Sequence, residues 1–164
     1  MLTTENVIAQ AIAYDNGDAR RIHHFLKVYA YAATIGRLEG LDERTQEILD
    51  TAAVLHDIGI HAAEKKYGSS SGHYQEIEGP APARDILTQL GADEELITRV
   101  CYLIAHHHTY HDIDGLDYRI LLEADFLVNA YEDDLKKDAI CRFRDNVFRT
   151  KSGIKLLNDT YGLR

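Results

Sequence analysis

Thr51-Ala52-Ala53-Val54-Leu55-His56-Asp57-Ile58-Gly59 is the stretch on which the reading of this chain turns. It closes a segment in which Ile48, Leu49, Ala52, Ala53 and Leu55 recur at helical spacing behind Asp42, a good N-cap. The pattern predicts a helix that delivers His56 and Asp57 at its C-terminal end. Neighbouring helical residues point about 100° apart, so these two side chains can meet one ion only beyond the end of the helix. Gly59 allows a close backbone approach there. Imidazole nitrogen and carboxylate oxygen together suit borderline divalent metals such as Fe, Mn, Zn or Co. Taken alone, the dipeptide reads equally well as a capping aspartate beside a packed histidine.

Outward from this stretch the helical period continues in both directions. Thr4 to Tyr14 reads as a short first helix, ended by Asn16-Gly17. Asp18 caps a long helix to about Glu39 with Ile22, Phe25, Leu26, Tyr29, Ala33 and Ile35 on its apolar side. Gly68 to Gly72, with three serines between, reads as a loop. A helix from about Gly79 to Leu90 carries its prolines in the first turn. Asp93 caps another, running through Ile97, Val100 and Ile104 into His106-His107-His108. After a loop over His111 to Asp117, helices are expected at Asp117 to Tyr131, about Leu135 to Arg149, and Gly153 to Tyr161. No segment shows the period of two that marks a strand. The expected fold is all-α, a compact helical bundle forming one domain over residues 1–164, with its motifs between about 18 and 130.

Within this frame two more residues share the chemistry of His56 and Asp57. Asp125 sits among leucines in Leu121-Leu122-Glu123-Ala124-Asp125-Phe126-Leu127-Val128, where a carboxylate is costly unless paired or metal-bound. A salt bridge to a core arginine is the plain alternative. His24 lies on the second helix, with His23 beside it as a competing ligand. His106, His107 and His108 follow an apolar helix and are further candidates. A polar helix end where histidines complement the dipole would also account for them.

Composition narrows the classes. The 164 residues carry a net charge of −9, with apolar and charged fractions typical of a globular chain. That charge excludes a nucleic-acid partner held by phosphate contacts. It leaves room for a small phosphorylated substrate, since a metal and local cations can reverse the field in a pocket. No apolar run approaches the roughly 20 residues of a membrane span, and the N-terminus lacks the features of a signal peptide. Two cysteines are too few for a disulfide framework, so a cytoplasmic protein with reduced thiols is expected. Homo-oligomer formation stays open. There is no phosphate-cradling GxxxxGK[ST] loop and no GxSxG elbow.

His24, His56-Asp57 and Ala124-Asp125, in this order and apolar context, resemble the H…HD…D signature of the HD-domain superfamily of metal-dependent phosphohydrolases. The resemblance spans residue 18 to about 130. It implies an all-α scaffold, one or two divalent ions, commonly Fe or Mn, and hydrolysis of a small phosphorylated substrate such as a nucleotide or phosphate ester. His24, His56, Asp57 and Asp125 would be metal ligands. Asp57 would be the catalytic bridging carboxylate, and His106 and His107 would serve a second ion. At the position where binuclear members often supply another histidine, this chain has Gln75, with His73, Glu76 and Glu78 as nearby substitutes. Ile60 stands where many members carry a lysine. Lys65, Lys66 and Arg21 are therefore candidates for phosphate contacts, with Arg20 comparable. Two alternatives belong to the same resemblance: a di-iron oxygenase, and a degenerate domain that keeps a metal or nucleotide without turnover.

Overall fold

A computed structural model describes all of residues 1–164 and contains ten helices and no strand. These are α1 (Thr4–Tyr14), α2 (Ala19–Leu38), α3 (Glu43–Leu55), α4 (Ile60–Tyr67), α5 (Gly72–Glu78), α6 (Pro80–Gln89), α7 (Glu94–His106), α8 (Leu116–Glu132), α9 (Lys137–Val147) and α10 (Lys151–Tyr161). The expected all-α class holds. None of the helices is long and apolar enough to cross a membrane.

The helix starts follow from local chemistry. Thr3, Asp18, Asp42, Asp93 and Thr150 each accept a backbone N–H of the first turn through the side chain, satisfying donors that a helix leaves free. Gly40 and Gly91 follow α2 and α6 with φ of +76° and +78°, a left-handed turn that glycine adopts without a Cβ clash.

At the centre stand α2, α3 and α8, which pack on one another, while α7 lies across α3. Helix α8 is buried almost all round, from Asp117 through Ala130, because other helices cover every side of it. One apolar core runs from Val7 in α1 to Leu157 in α10. The helices α9 and α10 close it from the C-terminal side. There the fully buried Glu123 accepts from Thr150 Oγ1 at 2.5 Å and from the backbone N–H groups of Arg149 and Thr150 at 2.8 and 3.1 Å. One carboxylate thereby ties the start of α10 to the central helix, its burial offset by three donors.

Two elements differ from expectation. The turn at Ile58-Gly59 leads directly into α4, and the chain between Gly68 and Gly72 is shorter than a loop of that composition suggests. Gly68 takes a left-handed turn, and α5 begins at Gly72 itself. Helix α5 is only seven residues long and is anchored by packing on α4 and α7, a tertiary effect that no local periodicity announces.

Candidate metal centre

Three helices and one turn bring the first group of residues together. His24 projects from α2, His56 caps the C-terminus of α3, Asp57 occupies the turn after it, and Asp125 projects from the middle of α8. His24 Nε2 lies 3.3 Å from His56 Nε2, 3.1 Å from Asp125 Oδ1 and 3.1 Å from Asp57 Oδ2. His56 Nε2 is 3.3 Å from Asp125 Oδ1 and 3.4 Å from Asp57 Oδ2. The convergence needs the turn. Gly59 packs so closely on the α5–α6 junction that a Cβ there would stand 2.5 Å from the backbone nitrogen of Gly79.

Asp57 faces two ways. Its Oδ2 points to His24 and His56, while Oδ1 lies 3.3 Å from His107 Nε2. His24, His56 and Asp57 form one group with ligand spacing, and Asp57, His107 and His108 form another. Gln75 from α5 joins the second group, its Oε1 lying 3.2 Å from His107 Nε2 and 2.8 Å from His108 Nε2.

Hydrogen bonding on the far side of each ring settles what the near side offers. The Nδ1 atoms of His56 and His107 lie 2.7 Å from Ala53 O and 2.6 Å from Ile104 O, carbonyls that can only accept. Nδ1 must carry the hydrogen in both, which leaves Nε2 of the neutral ring a bare lone pair. His24 follows the same rule, its Nδ1 donating to Glu132 Oε1 at 2.6 Å. With the rings neutral, three imidazole lone pairs and the oxygens of Asp57 and Asp125 therefore converge with no donor among them. Such a set fits a cation, and its nitrogen and oxygen donors suit a divalent metal.

The electrostatics express the same demand for positive charge. Burial disfavours charge on His24, but the carboxylates of Asp125 and Asp57 outweigh it and push the ring up to about 10. Burial likewise opposes charge on His56, and Asp57 foremost holds it well above the usual imidazole range. Against their own burial, Asp57 is driven well below the usual carboxylate range by His56, and Asp125 is driven down by His24 and His56. His108 is lowered to about 4 by burial and by His107, so it is a neutral ring at neutral pH, the form that ligates a metal.

The structure brings together His24, His56, Asp57, Asp125 and His107, but not every candidate. His106 turns away. Its Nδ1 binds Tyr102 O at 2.7 Å and its ring stacks on Tyr102 at 4.1 Å. It is still on the last helical turn of α7, where one residue of offset rotates it off the inner face, and His108, beyond the helix end, takes the expected place. Lys65 and Lys66 are exposed on α4 and do not line the cavity, and Lys66 instead pairs with Glu78 at 3.0 Å. Arg21 does line it, beside Arg20, and is held by Glu64 at 3.0 Å. On α5, His73 is exposed, and Glu76 accepts from His108 N–H at 3.1 Å and Thr109 Oγ1 at 2.9 Å. No arginine pairs with Asp125. Sequence reasoning missed Glu132, although it lies seven residues after Asp125, two turns along the same face of α8.

The helical scaffold and this histidine–aspartate centre define a metal-binding domain with the chemistry of a hydrolase. A sequence model of the HD domain matches residues 21–144, and the chain belongs to that family, whose domains bind divalent metals. It is similar to the crystal structure of a predicted HD superfamily hydrolase from an uncultured Thermotogales bacterium, with 27% sequence identity and a TM-score of 0.66 over 97% of this chain and 83% of that one. No curated protein matches the sequence.

Proposed function

We propose that this protein is a phosphohydrolase acting on a small phosphorylated substrate, with iron or manganese in one or two sites. The observation that carries the reading is the two-faced Asp57, one oxygen toward His24 and His56 and the other toward His107. A carboxylate so placed is suited to hold two ions a short distance apart, the arrangement that serves in-line phosphoryl hydrolysis. His24, His56, Asp57 and Asp125 would hold the first ion, and Asp57, His107, His108 and Gln75 the second. A divalent ion in this position supplies Lewis acidity and a water of lowered pKa.

The chain's own residues do the rest. Asp57 and Asp125 fix the imidazoles by charge, and Glu132 holds the His24 ring with Nε2 turned inward. Arg20 and Arg21 line the same cavity of about 400 Å³ and supply positive charge for a phosphate, whereas Lys65 and Lys66 are not part of its lining. Cys101 and Cys141 are both free thiols, which suits a cytoplasmic setting.

Elemental analysis of protein purified without chelator, followed by a phosphate-release screen with added Mn²⁺ or Fe²⁺, tests the proposal. Bound metal with release of inorganic phosphate is expected. Oxygen consumption by the iron-loaded protein without phosphate release would overturn it.

A further inference from the structure

The metal-facing residues account for only part of the cavity wall. The rest comes from Arg20 and Arg21 on α2, Ser70 in the turn before α5, and Asn129, Glu132 and Asp133 at the end of α8. Ile60 is the single apolar side chain in the lining, and the only rings there are the imidazoles of His24 and His108, with no Phe, Tyr or Trp. Small-molecule pockets are ordinarily lined mostly by apolar and aromatic side chains, and a nucleobase draws much of its affinity from stacking on such surfaces. A base placed here would find hydrogen-bonding groups but no apolar slot and no large aromatic side chain to stack on, so little of its usual affinity would be available.

The polar groups divide into those already committed and those available. Glu132 is engaged by His24 and Lys27, and Arg21 by Glu64. The side chains of Arg20, Ser70, Asn129 and Asp133 make no hydrogen bond within the protein. With a phosphate held by the metal-facing residues and Arg20, Asn129 and Asp133, one and two helical turns beyond Asp125, leave one amide and one carboxylate of the same lining to offer. Hydroxyl groups match both, since each can donate to Asp133 and exchange donor and acceptor roles with Asn129. Building on the phosphohydrolase reading, we infer that the substrate is a hydroxyl-rich phosphomonoester, a sugar or polyol phosphate without a nucleobase. Asn129 and Asp133 select it through its hydroxyls. In the reaction, water attacks phosphorus, the bond from phosphorus to the sugar oxygen breaks, and a proton from the water passes to that oxygen. The products are inorganic phosphate and the free sugar or polyol.

The test is a phosphate-release panel with the Mn²⁺-supplemented protein, comparing pentose, hexose and glycerol phosphates with nucleoside monophosphates, pyrophosphate and p-nitrophenyl phosphate. A sugar or polyol phosphate should exceed every nucleotide by about tenfold or more in kcat/KM, a margin that one or two hydroxyl contacts can supply. Asn129→Leu and Asp133→Ala should each reduce that preference over p-nitrophenyl phosphate by about tenfold, chiefly through KM. Preference for nucleotides or pyrophosphate would overturn the inference while leaving the phosphohydrolase reading intact. So would variants that slow all substrates equally. If no compound, including p-nitrophenyl phosphate, releases phosphate, the reading and the inference fall together. Asp133 is exposed at the helix end, so its variant retains the fold even if Asn129→Leu does not.

Discussion

Glu132 Oε1 lies 2.6 Å from His24 Nδ1, while the opposite nitrogen of the same ring faces Asp57 and Asp125 at 3.1 Å. The carboxylate fixes both the tautomer and the orientation of His24, and Lys27, 2.7 Å from Glu132 Oε2, keeps that carboxylate charged. Glu132 thus acts on the centre through His24 rather than by touching an ion.

Removing Glu132 should therefore weaken metal binding. Losing a carboxylate that orients a ligating imidazole costs about 10- to 100-fold in affinity. Glu132→Ala should show that loss in calorimetric titration with Mn²⁺, and Glu132→Gln, which keeps an acceptor, should fall between it and the wild type. Unchanged affinity in the alanine variant would refute the positioning role.

Asp57→Ala should abolish metal-dependent turnover and lower the bound metal, while the helical signal in circular dichroism persists. The side chain lies in a turn and touches imidazoles rather than the apolar core, so helix packing does not depend on it. Retained phosphate release would sink its assignment.

The two neighbouring histidines should separate cleanly. His108→Ala should lower the metal content of the second group, with Asp57 and His107 left holding a depleted ligand set. His106→Ala should leave metal content unchanged, because that ring is stacked on Tyr102 outside both groups. Elemental analysis of the two variants side by side decides between them.

Gly59→Ala should destabilise the fold and loosen the centre. The added Cβ would stand 2.5 Å from Gly79 N and 2.7 Å from its Cα, backbone atoms that cannot step aside cheaply. Overpacking of this kind costs about 2 kcal/mol. A urea midpoint equal to that of the wild type would show that the turn has slack.

A pH signature should come from Asp15, whose buried Oδ1 has no hydrogen-bond partner. Burial pushes this carboxyl up to about 6, with partial relief from His61. In the unfolded chain it ionises near 3.9, so between about pH 4 and 6 the unfolded state gives up a proton that the folded state keeps. Stability from this group falls as pH rises through that window, and the cost is fully present above it. Asp15→Asn should match the wild type near pH 4 and exceed it by about 1 kcal/mol at pH 7, after allowing for partial hydration of the site. Urea melts of the chelated protein at both pH values check this, and a gain independent of pH would contradict it.

Much of the architecture was legible in the order of residues. Helical periodicity, the side chains of Asp18, Asp42 and Asp93 at helix starts, and the absence of any period of two together dictate an all-α chain, because these are local effects. That His24, His56, Asp57 and Asp125 belong together was legible as well, from a carboxylate among leucines that is costly unless compensated and from the order of the H…HD…D signature. Helix α5 and the roles of Gln75, His108 and Glu132 were not. Which of three consecutive histidines faces inward depends on where α7 ends, to within one residue, and rotation by about 100° per residue makes that single step decisive. Likewise, the exclusion of Lys65 and Lys66 follows from how α4 leaves the Gly59 turn. Local propensity selects the helices and the chemistry of the ligands. Only the packing of α2, α5, α7 and α8 around that turn decides which side chains share the cavity.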